Sequence, residues 1–179
     1  MKICGISGSL RSGSYNTSLL LAVQEIAAPE HEIVVADISD IPLYNGDVEQ
    51  VEGIPASVER VAGTIREADA LLIVTPEYNG GPPGVLKNAM DWVSRVRPNV
   101  YDGKPTAMMG TSPGKLGTVR AQMQLRNQLA NLNARTVAQP MIYVGGAAQF
   151  FGAGGNGLDE ATTGFVKKQL AALADLAGA

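Results

Sequence analysis

A chain of 179 residues with 14 Lys and Arg against 17 Asp and Glu has a formal net charge of −3, which withholds the basic face needed to read a nucleic-acid backbone. One Cys and one His exclude an internal disulfide framework and any zinc site built on paired thiols or paired imidazoles. With 45% hydrophobic and 17% charged residues, 21 glycines and 10 prolines, the composition is that of a compact soluble fold with many tight turns, neither disordered nor fibrous.

In chain order, strand-like and helix-period segments alternate. Ile3-Cys4-Gly5-Ile6 reads as a short buried strand, residues 7–16 as a polar loop, and Leu19, Leu20, Val23, Ile26 and Ala27 as one face of a helix that Pro29 stops. Ile33-Val34-Val35-Ala36 is the second strand; a long loop over residues 37–55 precedes a helix marked by Val58, Val61, Ala62 and Ile65. Ala70 to Val74 is apolar on both faces, as a central parallel strand should be. The loop 75–83 leads to a helix carrying Val85, Leu86, Ala89, Met90 and Val93, followed by a strand over 106–110 and a helix over 117–132. A fifth strand over 136–144 is interrupted by Pro140, which predicts an edge or a bulge. A glycine-rich loop, 145–157, precedes a last helix with Val166, Leu170, Leu173 and Ala177 on one stripe.

Five strands alternating with five helices predict a single α/β domain over residues 1–179, a parallel sheet with helices on both faces and the common order 2-1-3-4-5. No signal-peptide core follows Met1-Lys2, since Gly5, Ser7, Gly8 and Arg11 break the apolar stretch, and no run is long enough to span a membrane. Together with the lone Cys4 this points to the cytoplasm.

Ligands in such sheets sit beyond the carboxyl ends of the strands where strand order reverses, here the first and third. The loop after the first strand holds Ser9, Arg11, Ser12, Ser14, Asn16 and Thr17 and runs into a helix start, whose free N–H groups and partial positive charge favour an anion. Those groups form a cradle for a phosphate monoester, although Asn16 or Thr17 alone also reads as a helix cap. The loop Thr75-Pro76-Glu77-Tyr78-Asn79-Gly80-Gly81-Pro82-Pro83 is stiffened by its prolines and presents backbone groups and Tyr78 to a planar ring. Residues 111–117 are placed to close over the same crevice. The nucleoside-triphosphate loop is disfavoured: Gly8 and Gly13 have its spacing, but Ser14 stands where its lysine must be. Gly152, Gly154 and Gly157 match the dinucleotide spacing by chance, because no strand follows their helix. A phosphate cradle facing a ring-holding loop suits a mononucleotide with a flat head group, with flavin mononucleotide (FMN) the obvious candidate.

Gly8-Ser9-Leu10-Arg11 with Ser14 and Asn16, then Pro76-Glu77-Tyr78-Asn79-Gly80 and Leu86-Lys87-Asn88-Ala89-Met90-Asp91-Trp92, resemble the NADPH-dependent FMN reductase family over nearly the whole chain. The resemblance implies a flavodoxin-like three-layer sandwich. It implies that Ser9, Arg11, Ser14, Asn16 and Thr17 hold the FMN phosphate, that Pro76, Glu77, Tyr78 and Asn79 line the flavin ring, and that Ser112 and Gly114 belong to a third flavin loop. The implied reaction passes hydride from NADPH or NADH through FMN to a small oxidised acceptor, quinones foremost. No catalytic side chain and no metal are expected, and partners are small molecules and further copies of the chain, a homodimer or homotetramer in which Asp91 and Trp92 pack at the contact. The competing readings are a flavodoxin-type electron carrier and a non-flavin module of the same fold. Cys4 reads as a core residue, His31 as a solvated edge histidine, and Glu25, Glu59, Glu67, Arg120 and Arg126 as ordinary helix charges. Arg95, Arg97, Lys115 and Arg120 are candidates for selecting between NADPH and NADH.

Overall fold

The computed structural model describes residues 1–28, 30–155 and 157–178. Along them run β1 (Lys2–Ser7), α1 (Tyr15–Ala27), β2 (Glu32–Val35), α2 (Gly46–Glu52), α3 (Ala56–Glu67), β3 (Ala70–Val74), α4 (Gly84–Val93), β4 (Pro105–Thr111), α5 (Val119–Asn131), β5 (Arg135–Thr136), β6 (Ile142–Val144), α6 (Ala147–Phe151) and α7 (Glu160–Ala177). The sheet order is β2-β1-β3-β4-β5, with β6 also paired to β4, and each of these pairings is parallel. The expected order holds with one amendment: the fifth strand is two short pieces, because Pro140 between them has no N–H to give the ladder. Pro29, expected to stop the first helix, lies outside the described residues.

Side chains alternate across the sheet with period two. Cys4, Ile6, Leu71, Ile73 and Met108 enter one core with α3, α4 and α5. Ile3, Leu72, Val74, Ala107 and Met109 enter the other with α1 and α7. Each fully buried Leu, Ile or Val contributes about 1.5–3 kcal/mol relative to exposure, so the two apolar layers hold the strand ends, and hence the loops beyond them, in fixed relation.

Cys4 is a core residue, as expected, and burial pushes its thiol up to about 12. An unfolded cysteine titrates near about 8.5. Between those values the unfolded chain has lost its proton and the folded chain has not, so this contribution to stability is intact below about pH 8 and falls by about 1.4 kcal/mol per pH unit above about pH 9. Urea unfolding of wild type and Cys4→Ala should therefore show the wild type losing ground above about pH 9; parallel curves up to about pH 11 would contradict it.

Two expectations are corrected. The stretch 37–55 contains α2, capped by Asn45, whose side chain accepts from the N–H of Asp47; none of its residues is buried, so no apolar periodicity announced it. Trp92 is not available to a subunit contact: it is fully buried, its Nε1 donates to Pro42 O at 2.9 Å, and Tyr44 packs edge-on against it at 4.9 Å. Among the described residues no helix is long and apolar enough to cross a membrane.

Candidate functional site

The ends of β1, β3 and β4 open into three loops that enclose a cavity of about 370 Å³, within the range of small-molecule sites. Gly8 lets the first two loops meet: a Cβ there would lie 3.1 Å from Leu86 and 3.2 Å from Thr75 Oγ1. Gly8 N also donates to Val74 O at 2.8 Å.

The first loop supplies Ser9, Arg11, Ser14 and Asn16 to the cavity, together with Tyr15. Ser14 is the N-cap of α1, its Oγ accepting from Thr17 N at 3.3 Å; the cap is therefore neither Asn16 nor Thr17. Capping by Ser14 leaves the N–H groups of Tyr15 and Asn16, in the first turn, without intrahelical acceptors. The Asn16 side chain is committed elsewhere: its Nδ2 donates to Thr111 O and its Oδ1 accepts from Thr111 N, both at 2.9 Å. It stitches α1 to the end of β4, so that of its polar groups the backbone N–H is the one left without a partner among the described residues. Thr17 is held by Ser7 through a hydroxyl pair at 2.8 Å and does not line the cavity. The Arg11 guanidinium lies 5.4 Å from the centre of the Tyr15 ring, with no ion pair among the described residues.

The second loop contributes Pro76, Glu77 and Tyr78. Tyr78 and Gly81 exchange two backbone hydrogen bonds, at 2.9 and 3.1 Å. Between them Asn79 and Gly80 both have positive φ, 52° and 78°, the type I′ turn that Asn-Gly favours. Asn79 is thus at the tip of a small hairpin, away from the cavity wall, while the Tyr78 ring is 51% exposed. The Glu77 carboxylate is buried and paired with Arg120 of α5. Arg120 is exposed, as expected of a helix charge, but it also carries that pair; the expectation for Arg126 is corrected by its donation to Val137 O at 2.9 Å.

The third loop brings Ser112 and Pro113, with Thr111 at the strand end. Gly114 does not line the cavity; its carbonyl accepts from Ser112 Oγ at 3.3 Å and Gly146 N at 3.2 Å, bracing the loop against the glycine-rich segment. Tyr15, Thr111 and Pro113 were not singled out from sequence, although each adjoins a residue that was. His31 lies outside the site, half-buried, with Nδ1 buried and unpartnered among the described residues. Of the candidates for choosing between NADPH and NADH, Arg95 is paired with Glu49 and Arg97 donates to the carbonyls of Ser94 and Val96, while Lys115 stays exposed on the third loop.

The donor set that the first loop brings to the cavity, free helix-start N–H groups with serine hydroxyls and a guanidinium, fits a phosphate monoester. The proline-stiffened hairpin and Ser112, which line the same cavity, fit a flat ring. A parallel sheet of this order, with its site where the first and third strands part, is the flavodoxin-like arrangement. The sequence pattern of the NADPH-dependent FMN reductase family matches residues 1–149, and the chain belongs to that family. It is 47% identical over 173 residues to an NAD(P)H-dependent FMN reductase of Pseudomonas aeruginosa, covering 97% of this chain and 93% of that one. To a quinone reductase of Escherichia coli K12 it is 43% identical over 150 residues, covering 83% and 79%. Among solved structures, the flavoenzyme NAD(P)H:(acceptor) oxidoreductase FerB of Paracoccus denitrificans matches with a TM-score of 0.88 at 36% identity, covering 99% of this chain and 97% of that one.

Proposed function

We propose that the protein passes hydride from NADPH or NADH through bound FMN to quinones and similar small acceptors, the whole chain acting as one flavin-binding unit. Membership of the family makes it an FMN-dependent NAD(P)H oxidoreductase, and the name of the Escherichia coli relative supports quinones as the acceptor class. The observation that carries the reading is the cavity itself, which brings Ser9, Arg11 and the start of α1 together with Pro76, Glu77 and Tyr78 of the second loop.

Ser9, Arg11 and the N–H groups of Tyr15 and Asn16 would hold the phosphate. Pro76, Tyr78, Ser112 and the backbone of Glu77 would hold the ring. Ser14 and Thr17 shape the helix start that presents those N–H groups, and Asn79 and Gly114 shape the other two loops. When bound, FMN supplies the centre that accepts and gives up hydride, and the protein's contribution is position and electrostatics. The hairpin, closed by two backbone bonds, would hold the ring, and the half-exposed Tyr78 would leave the approach open to both substrates in turn. Initial-rate patterns should accordingly be ping-pong; rates that require both substrates bound together would contradict a shared place.

We further place the protein in the cytoplasm, on the strength of its free, buried Cys4. We also infer a homo-oligomer: Leu43 and Val51, beside and on α2, are 85% and 84% exposed, apolar surface that a second copy would cover. Light scattering should give a multiple of the chain mass, and Leu43→Asp with Val51→Asp should reduce it; a monomeric wild type would overturn the assembly.

A further inference from the structure

Glu77 and Gln124 tie the two ends of the ring-holding hairpin to one helix. Glu77 Oε2 accepts from the backbone N–H of Arg120 at 2.9 Å and of Ala121 at 3.2 Å. Its Oε1 accepts from Arg120 Nε at 2.6 Å, and Arg120 Nη2 completes the ion pair. The carboxylate is only 6% exposed. The N-cap of α5, Thr118, makes no side-chain cap bond of its own, so a residue from a distant loop satisfies the orphan donors of that helix. One turn further along α5, Gln124 Nε2 donates to Gly80 O at 2.9 Å. The fit there is close, since a Cβ on Gly81 would lie 2.9 Å from Gln124 Oε1.

Helix α5 thus grips the hairpin immediately before Tyr78 and again at the turn beyond it. The two backbone bonds between Tyr78 and Gly81 make the stretch move as a unit. The Tyr78 side chain makes no hydrogen bond among the described residues, so its ring is placed through the hairpin. We infer that Glu77, Arg120 and Gln124 are positioning residues through which α5 sets the ring-binding hairpin, acting at the ring end of the cofactor and not at its phosphate. The inference rests on FMN as the ligand of this cavity.

Riboflavin, which lacks the phosphate, separates the two ends. Dissociation constants of FMN and riboflavin, measured by fluorescence quenching on wild type, Glu77→Gln and Gln124→Ala, should rise in both variants by the same factor for the two ligands, about threefold to tenfold. The visible circular dichroism of the bound flavin should change as well. Gln124 is exposed, so its truncation leaves the core intact, and thermal melting confirms that each variant is folded. Unchanged affinities and dichroism in a folded Gln124→Ala, or a loss confined to FMN, would overturn the inference. A wild type that binds neither flavin would overturn the cofactor assignment beneath it.

Discussion

Arg11→Ala should weaken FMN binding by about tenfold to more than a hundredfold, the equivalent of a charge-assisted hydrogen bond of about 1.5–3 kcal/mol to the phosphate. Arg11 is exposed at the cavity mouth and its contact with the fold is the Tyr15 ring at 5.4 Å. Removing the guanidinium therefore leaves no buried partner stranded, and the melting temperature should stay within a few degrees of wild type. Riboflavin binding should be unaffected, because the lost interaction is with the group riboflavin lacks. Salt should weaken FMN binding to wild type more than to the variant, since screening acts on the charge that the variant no longer has. Isothermal titration of both flavins at two ionic strengths reads all of this, and equal FMN affinity in wild type and variant would remove Arg11 from the site.

The largest effect on stability is expected from Gly110→Ala. A Cβ at position 110 would lie 2.1 Å from the Thr75 carbonyl oxygen and 2.4 Å from Thr118 Oγ1. The first of these is backbone and cannot rotate away, and Thr75 N is itself bonded to Met109 O at 3.0 Å in the same strand pair. Relief requires β3 and β4 to part where the second and third site loops diverge. Overpacking of this kind costs about 3 kcal/mol at the upper end of its usual range, a large share of the roughly 5–15 kcal/mol that holds a domain folded. Urea unfolding should show a lowered midpoint, and FMN affinity should fall with it because the loops lose their registration. A midpoint equal to wild type would show that the strand ends are looser than the structure has them.

Much of this was legible in the sequence because hydrophobic periodicity is a local signal. Ala70–Val74 reads as a central strand from five consecutive apolar residues, and it is buried throughout. The alternation of such runs with amphipathic helices leads to the sheet order, and the order leads to the loops. What stayed hidden depends on partners far away along the chain. The Asn16 amide meets Thr111 across 95 residues, and Glu77 meets Arg120 across 43; taken alone, each is a polar residue in or beside a loop, with nothing local to name its partner. α2 was hidden for the opposite reason, since a helix that buries none of its residues leaves no apolar stripe to detect. The glycine excess near residue 145 also acquires a purpose only in three dimensions. A Cβ at Gly145 would lie 2.5 Å from Lys115 O, so that segment lies directly against the third site loop.

In the proposed reaction, bound flavin links a nicotinamide donor to a quinone acceptor at one site. Anaerobic addition of NADPH or NADH to the FMN-loaded protein tests it most directly. The visible flavin absorbance should bleach with one equivalent of donor per FMN and return on adding one equivalent of a benzoquinone. A flavin that stays oxidised with both donors would rule out this reaction and leave an electron carrier that is reduced by a protein partner.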